Sequence, residues 1–130
     1  MPVETTIQVR RGDMDAMGHV NNAVYLAYLE TAREPFFEQV VGDTLTRFVL
    51  RRVEIDYISQ LTYRDGSVRV SVELAGAGRT SLRTREVMTA SSDGRVVAEA
   101  RAVIVHVDET GLAAAPLPAA LRERLAALLA

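Results

Sequence analysis

The chain has 130 residues, 48% hydrophobic and 25% charged, the balance of one globular domain able to bury a core. Its formal charge of -2 argues against a nucleic-acid binder that relies on a basic face, and no apolar run approaches the roughly 18 residues of a membrane span. With no cysteine there is neither a disulfide framework nor a thiol nucleophile, and with no basic, apolar leader pattern at the N-terminus the expected setting is cytoplasmic.

In chain order, a first strand is expected at about residues 5–11, with Ile7 and Val9 on one face. A polar loop follows, Asp13-Met14-Asp15-Ala16-Met17-Gly18-His19-Val20-Asn21-Asn22, and feeds into a helix expected over residues 23–41. Asn21 or Asn22 suits its N-cap, because an Asx side chain accepts from the free amides of a first turn. The first two turns are apolar almost all round, which predicts burial on nearly every side. Pro35 predicts a kink or break between Glu34 and Phe36, since an interior proline costs about 3 kcal/mol. Alternation then marks strands at residues 53–57 (Val53, Ile55, Tyr57) and 67–74 (Val68, Val70, Val72, Leu74). Gly76-Ala77-Gly78 reads as a turn into a strand over residues 80–90, and Asp93-Gly94 as a hairpin turn into a valine-rich strand over residues 96–107. These four are expected as an antiparallel meander, the first strand completing a sheet of five. Pro118 opens a terminal helix that sets Leu121, Leu125, Leu128 and Leu129 on one stripe. A five-stranded sheet has edges to protect, which favours pairing with a second copy, so a homodimer is expected.

The chemistry gathers in the loop before the buried helix. Two carboxylates, a glycine and an imidazole precede a helix N-terminus, whose unpaired amides and positive dipole end suit an oxygen gaining negative charge. Taken alone, Asp15 reads as an Asx-turn residue. Asp13 reads as structural, a turn residue or a partner for Arg10 or Arg11, and Glu30 with Arg33 as a helical ion pair. His106 sits in the last strand without an acidic neighbourhood. Two histidines so placed, with no cysteine, do not form a zinc site, so neither metal nor cofactor is expected. Ser81 has no evident histidine partner, and the Gly76–Gly78 pair lacks the following helix of a phosphate loop.

These residues resemble the acyl-CoA thioesterases of the hotdog fold, in the 4-hydroxybenzoyl-CoA thioesterase branch. The Gly18-His19-Val20-Asn21-Asn22 helix entry with its preceding Asp13-Met14-Asp15 is the specific signal. Glu30-Thr31-Ala32-Arg33, Tyr63-Arg64-Asp65-Gly66, residues 96–100 and Pro116-Leu117-Pro118 extend it over nearly the whole chain. The resemblance implies an α+β hotdog fold: a curled antiparallel five-stranded sheet wrapped around a long central helix, with a short C-terminal helix. It implies an acyl-CoA substrate hydrolysed to an acid and a thiol, with Asp15 as nucleophile or general base and the Asn22 backbone amide polarising the carbonyl. His19, Val20 and Tyr25 are then substrate-binding residues, with Val24, Tyr28 and Leu29 lining an acyl tunnel or filling core. Dimers that pair again into tetramers also occur in that fold. The alternatives are a hydratase or dehydratase of enoyl or hydroxyacyl thioesters on the same fold, and a non-catalytic acyl-thioester-binding module. The presence of Asp15, four residues before His19, and of the double asparagine favours the thioesterase.

Overall fold

The structure, a computed structural model, describes residues 2–42 and 47–130. Its elements are β1 (Val3–Gln8), α1 (Asn22–Phe36), β2 (Phe48–Tyr57), β3 (Ser67–Ala77), β4 (Ser81–Ala90), β5 (Val96–His106) and α2 (Ala119–Leu129). The five strands form one antiparallel sheet in the order β1-β3-β4-β5-β2, with α1 packed against β1 and β3. This is the α+β architecture that the resemblance implies.

The alternation read from the sequence becomes the inner face of this sheet. Val68, Val70 and Val72 of β3, Leu82 and Met88 of β4, and Ala100, Ala102 and Ile104 of β5 point under the helix and are buried, each large side chain worth about 1.5–3 kcal/mol once removed from water. From the helix, Tyr25, Tyr28, Leu29, Ala32 and Phe36 meet them at helical spacing. Leu117, Leu121 and Leu125 close one end of the core.

Several expectations are corrected. β3, β4 and β5 form a meander, but β2 does not join it beside β3. β1 occupies that edge, through pairs running from Val3 with Val72 to Gln8 with Ser67, and β2 pairs instead with β5 at the opposite edge. The first strand ends at Gln8: Val9 still donates to the Gly66 carbonyl, but Gly66 lies in the turn before β3, so the partner strand has ended there, and the backbone then turns through Arg11–Asp13. The glycine turn is displaced, with Gly76 and Ala77 still inside β3. On α2 only Leu121 and Leu125 are buried, while Leu128 and Leu129, on the last turn of the helix, are exposed.

The central helix also departs from expectation. It is buried on one face only, since Ala23, Leu26 and Ala27 are exposed along the side nearest β2. Pro35 does not break it. The α-helix runs through Phe36 and then widens into a π-helical turn over Phe37–Val41, closed where the Gly42 amide donates to the Phe37 carbonyl. Gly42 ends the helix at φ 72°, a left-handed conformation that suits glycine.

Candidate active site

Residues 13–22 form a self-closed loop at the entrance to α1. Met14 and Val20 pair as an antiparallel bridge, the Asp15 amide donates to the His19 carbonyl at 2.7 Å, and the Gly18 amide donates to the Asp15 carbonyl at 3.1 Å. Gly18 has φ 82°, so the reversal needs a residue without a Cβ. The Asp15 side chain belongs to the same turn: its Oδ1 accepts from the amides of Met17 at 2.8 Å and His19 at 3.2 Å. Asp15 is therefore the Asx-turn residue that it resembles in isolation. Yet only one oxygen is used. Among the described residues Oδ2 accepts no hydrogen bond, which leaves an oriented, solvent-exposed carboxylate with one oxygen free to act as nucleophile or base.

The helix entry follows at once. Asn21 is the N-cap, its side chain accepting from the Ala23 amide at 2.9 Å, while its own amide donates to the Asp13 carbonyl at 2.9 Å. Asn22 is the first helical residue, and no acceptor among the described residues takes its amide. A free first-turn amide at the positive end of a helix dipole is a ready donor to a developing oxyanion. Its carbonyl is held from the other side by the Tyr57 hydroxyl of β2, which donates at 3.1 Å.

The remaining loop residues hold this arrangement from behind. Asp13 is buried, and its Oδ2 accepts from the Tyr28 hydroxyl at 2.6 Å and the Arg10 amide at 2.9 Å, with Arg10 Nη2 reaching Oδ1 at 3.3 Å. Burial pushes its carboxyl up, but the Tyr28 hydroxyl and the Arg10 amide and guanidinium outweigh it and hold Asp13 below its ordinary value. Asp13 is thus structural and Arg10 its partner. Val20 and Tyr25 are each 2% exposed. The Val20 amide donates to the Leu61 carbonyl at 2.8 Å, and the Tyr25 hydroxyl accepts from the Leu61 amide at 3.1 Å while its ring packs edge-on against Tyr57. His19 is half-buried, its backbone clamping Asp15.

A cavity of about 480 Å³ opens beside Ala23, the residue after Asn22, and follows α1 to Phe37, a length of roughly 20 Å at 1.5 Å per residue. Leu26, Ala27, Glu30, Arg33 and Glu34 form its helix wall, with Phe48, Leu50, Val53 and Ile104 opposite. None of Val24, Tyr25, Tyr28 and Leu29, left by the sequence as tunnel lining or core, borders this cavity. Tyr25 and Leu29 fill core, while Val24 and Tyr28 border a separate recess beside β1.

Arg33 does not pair with Glu30. Its Nε and Nη2 donate to Glu86 of β4 at 2.8 Å each, and Thr84 Oγ1 donates to the same carboxylate at 2.8 Å, a closed unit joining helix to sheet. His106 has its Nδ1 at 3.2 Å and 3.0 Å from the carbonyls of Ala115 and Pro116, a structural role. The described residues contain no group of three or more histidine, cysteine or acidic side chains arranged to hold a metal. Sequence reasoning missed Tyr57 and Leu61, whose positions give no local signal because they reach the loop only through the fold.

Residues 9–125 match the sequence profile of the thioesterase-like superfamily. The chain belongs to that family. Its chemistry is accordingly thioester hydrolysis, and its fold is the hotdog. Over 129 residues it is 30% identical to the long-chain acyl-CoA thioesterase FadM of Escherichia coli, covering 95% of this chain and 96% of the relative. Among solved structures it is similar to a thioesterase from Thermus thermophilus complexed with coenzyme A and zinc, at TM-score 0.83 and 39% identity over 94% of this chain and 95% of that one. It is also similar to a predicted thioesterase from Bacillus stearothermophilus, at TM-score 0.86 and 29% identity over 98% and 96% of the two chains. No helix among the described residues is long and apolar enough to cross a membrane.

Proposed function

We propose that this chain, acting as one domain, hydrolyses acyl-CoA thioesters through Asp15 and the backbone amide of Asn22. The observation that carries the reading is the pairing, on one short loop, of a carboxylate held by two amides with one oxygen unengaged and a first-turn helix amide without an acceptor among the described residues. The Asn22 amide donates to the thioester oxygen as it becomes an oxyanion, and the free Asp15 oxygen either attacks the carbonyl carbon or takes a proton from an attacking water. In the first case the thiolate of coenzyme A leaves behind a mixed anhydride on Asp15, which water hydrolyses to the free acid and the regenerated carboxylate; in the second the thiolate leaves the adduct of water, and the acid forms directly. The similarity to a long-chain acyl-CoA thioesterase and to a thioesterase bound to coenzyme A supports this substrate class.

The acyl chain is assigned to the cavity that starts beside Ala23, and His19 to the mouth of the site, where its ring meets the substrate. Val20 and Tyr25 serve binding from beneath the loop. The working form is a homodimer. β2 is an edge strand, and Val49, Leu50, Tyr57 and Ile58 on or just beyond it, with Leu26 on the facing helix, leave an apolar strip exposed beside the cavity. The setting is the cytoplasm, where a chain without cysteine loses nothing to a reducing environment.

Release of free thiol from short, long and aromatic acyl-CoAs tests the reading, with wild type and Asp15→Asn run together. Asp15→Asn is expected to bind acyl-CoA and to lose about 10²-fold or more in kcat. Equal turnover by the two proteins would refute the assignment. Absence of thiol release by wild type, with binding retained, would point to an acyl group on a carrier protein or to a non-hydrolytic role.

A further inference from the structure

The Tyr63-Arg64-Asp65-Gly66 turn lies far from Asp15 in sequence and has no part in the chemistry above. In the fold it joins the catalytic loop through Arg95, at the start of the β4–β5 hairpin's return strand. Arg95 is held by three groups. Its Nη1 and Nη2 donate to the two oxygens of Asp65 at 3.0 Å and 2.9 Å, Nη1 donates to Asp93 at 2.9 Å, and Nη2 donates to the Gln60 carbonyl at 2.6 Å. Asp65 is in turn fixed by the Thr62 amide at 2.8 Å and the Ser92 hydroxyl at 2.6 Å. A two-pronged guanidinium–carboxylate pair defines direction as well as attraction, so the Gln60 carbonyl is held at a set position.

The next residue carries the link to the site. The Leu61 carbonyl accepts from Val20 and the Leu61 amide donates to Tyr25, so Leu61 is pinned between the catalytic loop and the first turn of α1. Gln60 faces Arg95 while Leu61, completely buried, faces the loop. The turn also touches the loop's opposite stem, where the Arg11 guanidinium lies 4.8 Å from the centre of the Tyr63 ring.

We infer that Arg95 and Asp65 are positioning residues for thioester hydrolysis, a clamp that acts through Gln60 and Leu61 to hold Val20, and with it the spacing between the Asp15 carboxylate and the Asn22 amide. Val20 lies five residues after Asp15 and two before Asn22, so a shift of Leu61 moves both reacting groups. Displacement of a reacting group by about 1 Å from a distant change can cost on the order of 10²-fold in rate. The inference rests on the proposed use of Asp15 and Asn22, and its test has one arm that does not.

Arg95→Lys keeps the charge but loses the fork, and Asp65→Asn keeps the shape but loses the charge. Both are compared with Asp93→Asn, which neutralises the exposed carboxylate beside Arg95 while keeping an oxygen for the Arg95 amide. Two measurements are made on each: kcat and KM for an acyl-CoA that wild type hydrolyses, and hydrogen exchange of the Val20 amide by NMR. Arg95→Lys and Asp65→Asn are expected to lower kcat about 10- to 100-fold with KM changed less than about threefold, and to speed Val20 exchange at least tenfold, while Asp93→Asn stays within about twofold on both. If Asp65→Asn does not fold, Arg95→Lys carries the test. Unchanged Val20 exchange in Arg95→Lys would overturn the clamp whatever the activity, as would faster exchange with unchanged kcat. Wild type without thioesterase activity, but with the expected exchange pattern, would refute the catalytic assignment and leave the mechanical coupling standing.

Discussion

Replacing Glu86 by glutamine isolates the cost of leaving a buried guanidinium without its counter-charge. In the native protein Arg33 and Glu86 meet through two 2.8 Å hydrogen bonds, Thr84 adds a third at 2.8 Å, and the two side chains are 8% and 0% exposed. Glutamine preserves the shape but puts an NH2 donor where Arg33 already presents one. Breaking a buried pair from one side costs about 3–5 kcal/mol, a large part of a typical domain stability of about 5–15 kcal/mol. At roughly 3–4 °C per kcal/mol for a domain of this size, the midpoint should fall by about 9–20 °C. The double variant Arg33→Met, Glu86→Leu removes both charges and keeps the volume filled, orphaning only the Thr84 hydroxyl, so it should lie within about 1–2 kcal/mol of wild type. Urea unfolding followed by circular dichroism, at one fixed protein concentration because association and folding are linked, compares the three proteins. A loss below about 1 kcal/mol in Glu86→Gln, or a double variant as unstable as the single one, would show that the pair is not an electrostatically closed unit.

Two further outcomes follow from the geometry. Because Asp13 titrates below its ordinary value in the fold, its stabilisation is full above its unfolded pKa of roughly 3.9 and is lost as pH falls through the lower folded value. Tyr28→Phe removes the 2.6 Å bond to that carboxylate, so it should cost about 1.5–3 kcal/mol at pH 7 and flatten the loss of stability as pH falls below about 4; an acid limb as steep as wild type in urea titrations would contradict this. Leu50→Glu places a charge on the exposed β2 edge, and sedimentation should shift from dimer to monomer with a parallel fall in thiol release; wild type sedimenting as a monomer at micromolar concentration would remove the basis for the dimer.

The features legible in the sequence are local. Alternating valines specify β3 and β5, Asp93-Gly94 specifies the hairpin, Asn21 caps the helix, and the string from Asp13 to Asn22 carries the loop that presents Asp15 and the Asn22 amide. Each follows from chemistry within a few residues, where backbone geometry dictates which groups meet. The closed fold set everything that depends on contacts between distant segments. It placed β2 against β5 rather than β3, because β1 takes the other edge, and it gave Arg33 to Glu86 rather than to Glu30. It left the Ala23-Leu26-Ala27 face of an apolar helix open, putting the cavity on the side away from Tyr25 and Leu29. It also set Tyr57, Leu61 and Arg95 behind the loop of residues 13–22. These pairings join residues separated by 35 positions or more, and no periodicity, cap or turn preference encodes them, because which partners satisfy a buried polar group is settled only when the sheet closes on the helix.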